Sequence, residues 1–79
     1  MTMNPAQCRA GRGLLGWSQQ DLAHAATVGL STIRSFESGK RTPIANNLAA
    51  IRLALESAGV QFLEDGTVST GPGVALRRS

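Results

Sequence analysis

The chain has 79 residues, a net charge of +3 from eight Lys/Arg against five Asp/Glu, and one cysteine, Cys8. That length allows one small domain, held by helix packing or a second copy and not by an intrachain disulfide. No apolar run approaches the ~20 residues of a membrane span. No charged-then-apolar opening marks secretion, and the cysteine usage suits a reducing cytoplasm.

Asn4 can cap a first helix and Pro5 suits its first position, with Met1 to Asn4 expected to be loose. That helix runs to about Leu15, and Gly16 ends it. Its inward stripe is Cys8, Gly11, Arg12 and Leu15. An arginine on such a stripe needs a carboxylate, because buried charge is costly unless paired. Glu37 is the best candidate, being the only acid beside the apolar pair Ile33 and Phe36. Cys8 reads as a small core residue and not a reactive thiol.

Ser18 to Gly39, SQQDLAHAATVGLSTIRSFESG, reads as two short helices joined by a tight turn and closed by a glycine. Ser18 caps the first, Asp21 takes the capping-box position, and Trp17 and Leu22 hold the staple positions. Leu22, Ala23 and Ala26 form its inner face, which puts His24 outside. The second helix, about Leu30 to Ser38, turns Ile33 and Phe36 inward and leaves Ser31, Thr32, Arg34 and Ser35 outward. Small hydroxyls and one arginine on a free face have the chemistry of a DNA base edge.

Gly39 to Thr42 reads as a loop in which Lys40 and Arg41 join Arg34 in a cationic cluster. Thr42 then caps a further helix with Pro43 at its start. Leu48, Ile51 and Leu55, backed by Ala54 and Ala58, make it amphipathic until Gly59 stops it. Asn46 and Asn47 face outward near its start. Beyond Gly59 the composition changes. Val60 to Glu64 alternates as a short strand, Asp65-Gly66 is a turn signal, Thr67 to Gly73 is loop-like, and Val74 to Arg77 reads as a second strand. Two strands alone are marginal, so they must pack on the helices or pair with another chain. The expected fold is mostly α: residues 1–59 form a four-helix DNA-binding domain with its helix-turn-helix at 18–39, and 60–79 a short strand pair or a tail, the strand pair being a candidate dimerisation element.

Gln19, Leu22, Ala23, Val28, Thr32-Ile33, Phe36-Glu37 and Gly39-Lys40-Arg41-x-Pro43 resemble the lambda-repressor/Cro-like helix-turn-helix domain, the XRE family, from about Asn4 to Gly59. The resemblance implies that Gln19 contacts a phosphate and helps hold the recognition helix. It implies that Leu30, Ser31, Arg34 and Ser35 face bases and that Lys40 and Arg41 touch the backbone. It also implies a structural ion pair of Arg12 with Glu37. Three positions depart from the pattern. Thr27 stands where relatives have a turn glycine, and must avoid positive φ or bear strain. Gly29 stands where they have a capping hydroxyl. Leu30 replaces a residue that is often polar.

The reading is a sequence-specific regulator of bacterial or phage type, acting in the cytoplasm on double-stranded DNA. One domain reads few base pairs, so a homodimer on an inverted repeat is expected. Thr32 joins Ser31 and Ser35 as a weaker contact. The rival is a protein-interaction module with a regulatory protein partner, which an exposed Leu30 and the C-terminal strands would serve. An enzyme is poorly supported: there is one histidine, one cysteine and no tyrosine, and no phosphate-binding glycine loop. No cofactor and no metal are expected, since His24 lacks partners at ligand spacing.

Overall fold

The computed structural model describes residues 3–63 and 73–76. Four helices are followed by two strands: α1 (Pro5–Leu15), α2 (Gln19–Ala26), α3 (Leu30–Glu37), α4 (Ala45–Ser57), β1 (Val60–Leu63) and β2 (Gly73–Leu76). The strands pair antiparallel, with Val60 opposite Leu76 and Phe62 opposite Val74. β2 lies against α1, and β1 against α4 and α1. The fold is mostly helical with a C-terminal hairpin.

The first two helices begin on reciprocal caps. The Asn4 side chain accepts from the Gln7 amide at 2.7 Å, and the Gln7 side chain accepts from the Asn4 amide at 2.9 Å. Ser18 and Asp21 make the same exchange at 3.0 and 2.9 Å. Each box satisfies two backbone donors that a helix start leaves without partners. Neither α3, which follows Gly29, nor α4, which follows Ile44, has a side-chain cap.

Three helix ends share one geometry. After α1, α2 and α3 the chain turns through a left-handed residue, and the next amide reaches five residues back: Trp17 to Arg12, Val28 to Ala23, Lys40 to Ser35. This is the Schellman closure. Gly16 and Gly39 take the left-handed position in two of them, at φ 70° and 79°. Thr27 takes it in the third at φ 57°, a conformation that crowds a β-branched side chain.

The core is built on Cys8, Leu22, Ile33, Ile51, Leu55 and Val60, with Met3, Ala23, Ala26 and Phe36 completing it. Phe62 and Val74 of the hairpin and the half-buried Trp17 pack on the same cluster. The hairpin therefore rests on its own helices. Arg52 secures it further, placing its guanidinium 4.7 Å from the Phe62 ring centroid while donating to Glu56 at 3.1 Å.

Several sequence expectations are corrected. Met3 is not loose but buried beneath the helices, and Asn4 is fixed as a cap. Thr42 and Pro43 do not open α4. The chain stays extended through Ile44 and the helix begins at Ala45, because the loop first runs alongside α3. Ala58 closes α4 and is exposed, and Ser38 closes α3. α4 is not cleanly amphipathic, since Leu53 on its outer side is 63% exposed. Leu30 is not an exposed residue but half-buried against the core. The Asp65-Gly66 turn, with Glu64 and Arg77, lies outside the described residues.

Candidate nucleic-acid interface

α3 has only eight residues, too few for a helix to persist on local interactions alone. What fixes it is Glu37, its last residue, whose side chain is 2% exposed. One carboxylate oxygen, Oε1, accepts from Arg12 Nη2 at 2.7 Å and Gln19 Nε2 at 3.1 Å. The other, Oε2, accepts from Arg12 Nε at 2.7 Å and Cys8 Sγ at 3.1 Å. A carboxylate has about four lone-pair positions, and these donors occupy them all. Arg12 forms the fork-on-fork pair that its planar group favours, and its Nη1 donates to the Trp17 carbonyl at 2.9 Å. Arg9 donates to the main-chain carbonyl of Glu37. One side chain of α3 is thus tied to both α1 and α2.

The electrostatics follow from these donors. Burial pushes the Glu37 carboxyl upward, but hydrogen bonds from Arg12, Cys8 and Gln19, with the Arg12 charge, outweigh it and hold the pKa below the usual glutamate value. The Cys8 thiol is driven far above its ordinary pKa, first by burial and then by its bond to Glu37. It stays protonated as a donor and is a poor nucleophile.

With the Glu37 end and the Ile33–Phe36 face held inward, α3 offers the opposite side to solvent. Ser31 and Arg34 are exposed, and Thr32 and Ser35 are half-buried. Lys40 and Arg41 are exposed just past the helix. Ser31, Thr32 and Ser35 form one wall of an open cleft of about 250 Å³, and Arg41, Thr42, Pro43, Ile44 and Asn47 form the other. The structure thus gathers Ser31, Thr32, Ser35 and Arg41 on one surface. It does not bring Leu30 to the cleft; Leu30 lies with Gln20, His24 and Val28 on the α2 side. Gln19 is half-buried, with its amide committed to Glu37.

Sequence reasoning missed Thr42 as a wall of the cleft, having given it to a helix cap, whereas Asn47, read as facing outward near the start of α4, lines the cleft beside Arg41 of the basic loop. It also missed Cys8, Arg9 and Gln19 as partners of Glu37. The signal for Arg9 was present: it stands one turn before Arg12 on the same helix.

No group of three or more His, Cys, Asp or Glu is arranged to hold a metal ion among the described residues. No helix among them is long and apolar enough to cross a membrane. No curated protein matches the sequence. Residues 9–57, more than half of the chain, match the helix-turn-helix family. With two short helices about a tight turn, the second anchored at its end and free on one face, the chain belongs to the helix-turn-helix family of lambda-repressor/Cro-like, XRE type, a family of DNA-binding regulators.

Proposed function

We propose that this chain is a small transcriptional regulator that binds double-stranded DNA sequence-specifically by laying α3 in the major groove. The observation that carries this is the free face of α3: an exposed Arg34 flanked by hydroxyls, with Lys40 and Arg41 at the helix exit. Lys40 and Arg41 supply salt-sensitive phosphate contacts that set register. Arg34 can pair bidentately with a guanine, while Ser31, Thr32 and Ser35 give single contacts. Gln19 acts mainly through Glu37, by fixing the helix that Arg34 rides on. A homodimer on an inverted repeat supplies the missing length of site, with half-sites ~34 Å apart. The chain performs no catalysis in this reading, and the cytoplasm is its place of action.

The rival, a module whose main partner is a protein, relied on an exposed Leu30 and on the C-terminal strands; Leu30 packs on the core, and the strands pack on α1 and α4. The deciding experiment selects bound sequences from random DNA and then titrates salt on selected and scrambled duplexes. Arg34→Ala should cost ~1–3 kcal/mol on the selected site and little on scrambled DNA. Lys40→Ala should weaken both alike and reduce the log–log salt slope by about 1. Equal losses for both variants on every duplex would remove Arg34 as a base reader. Selection that returns no common sequence would remove the proposal.

A further inference from the structure

We propose that two copies of this chain meet through the groove between α2 and α4, with Leu53 of each copy seated in the groove of the other. α4 is apolar on two opposite sides: Ile51 and Leu55 are fully buried in the core, yet Leu53 is 63% exposed. An amphipathic surface helix ordinarily turns a polar residue to the side opposite the core. Leu53 stands at the rim of an open groove of about 460 Å³, whose walls include Trp17, Ala25, Ala50, Ala54 and Ser57. A projection and a recess on the same patch are self-complementary, which is what a two-fold contact requires.

Charge selects the occupant. The chain carries +3; among the described residues the exposed cations Arg34, Lys40 and Arg41 lie on α3 and the loop after it, and the exposed Arg9 lies on α1 against the end of α3. Among the described residues, no charged side chain lines the groove. A polyanion finds nothing to bind there, whereas two like-charged copies approach with least repulsion through an uncharged face. Dimensions agree with this, on the inverted-repeat reading above. The molecule measures 34 × 26 × 19 Å, so copies ~34 Å apart on one face of a duplex touch when the long axis runs along it. The 13 residues of α4 make a face ~20 Å long and one helix wide. That is well under the ~800 Å² per partner of a standard interface. Free copies therefore associate weakly, and the duplex drives pairing by raising their effective concentration to about millimolar.

Trp17, the only tryptophan, lines the groove and reports on it. In the full chain without DNA, its emission should move to the blue as concentration rises from micromolar to millimolar, and Leu53→Glu should abolish that movement. Leu53 is solvent-exposed, so the variant should keep the wild-type melting curve. On DNA, Leu53→Glu should bind a half-site as the wild type does and lose about ten-fold on the full inverted repeat, the share that pairing contributes. Leu76→Glu, at an exposed hairpin position, should change neither readout. The proposal is overturned if wild-type emission is invariant and Leu53→Glu keeps full cooperativity on DNA. It is also overturned if Leu76→Glu, and not Leu53→Glu, prevents pairing. Absence of half-site binding would instead refute the DNA reading; the DNA-free emission then decides the contact alone, and an invariant spectrum overturns it.

Discussion

The first two helices and the second two are specified in different ways. α1 and α2 each begin on a reciprocal capping box, so their starts are written in four consecutive residues. α3 and α4 begin on Gly29 and Ile44, which offer no side-chain cap. The later pair is placed from a distance, α4 by burying Ile51 and Leu55 and α3 by burying Ile33 and Phe36 and saturating Glu37. On the proposed reading the division is useful: the face of α3 offered to a duplex lies away from the Glu37 anchor, and its orientation is set from behind.

The strongest way to break this comparison is to remove the distant anchor. Glu37→Gln should destabilise the chain by ~3–5 kcal/mol, because it leaves a partly buried Arg12 facing a neutral amide. Urea unfolding measures this, and a loss no larger than that of a helix cap would refute the division. Acid should act in the same direction. Because the Glu37 pKa is depressed in the folded state, its contribution is fully present above the unfolded value of ~4.3 and is lost as pH falls through the lower folded value. Wild-type stability should therefore decline in that acid range, and Glu37→Gln should lack this part of the decline.

Two smaller changes sharpen it. Thr27→Gly removes a β-branched residue from the left-handed position that Gly16 and Gly39 fill elsewhere. It should stabilise by ~1 kcal/mol, the relieved strain of ~1–2 less the added freedom of the unfolded glycine. Thermal melts should rise by a few degrees, and a fall would mean that Thr27 makes a favourable contact that outweighs its strain. Ser18→Ala should cost ~1 kcal/mol, since it deletes the hydroxyl that accepts from the Asp21 amide, while the Asp21 carboxylate still accepts from the amide of residue 18.

The same division explains what the sequence made legible. The starts of α1 and α2 could be read because the capping residues are adjacent in the chain. The glycine-closed ends could be read because Gly16 and Gly39 follow helical runs. An arginine on an inward stripe asks for an acid, and few acids are available. What was not legible needed the third dimension. Thr42-Pro43 has the local signature of a helix start, but the loop runs along α3 before turning. Leu30 sits on the outward arc of an isolated helix, and only the packing of α2 shows that it is half-covered. The partners of Glu37 come from two other helices, so no spacing rule announces Cys8 or Gln19 together with it.

The finest test moves the missing device into α3. Gly29 has φ −68° and ψ 147°, an extended conformation that any residue adopts. A Cβ there would meet Thr32 Oγ1 at 3.7 Å and Ser31 Oγ at 3.8 Å, ordinary contacts. Gly29→Ser can therefore place a hydroxyl within reach of the Thr32 amide at no steric cost. The cap itself is worth a few tenths of a kcal/mol over glycine, and stiffening the unfolded chain adds ~0.4–1 kcal/mol. Thr32 cannot return the bond as Gln7 and Asp21 do, so the gain stays below that of a full box. For a domain of this size the melting temperature should rise by about 2–10 °C. A larger rise would mean that α3 depends on its own start as much as α1 and α2 do, and the division between locally and remotely specified helices would not stand.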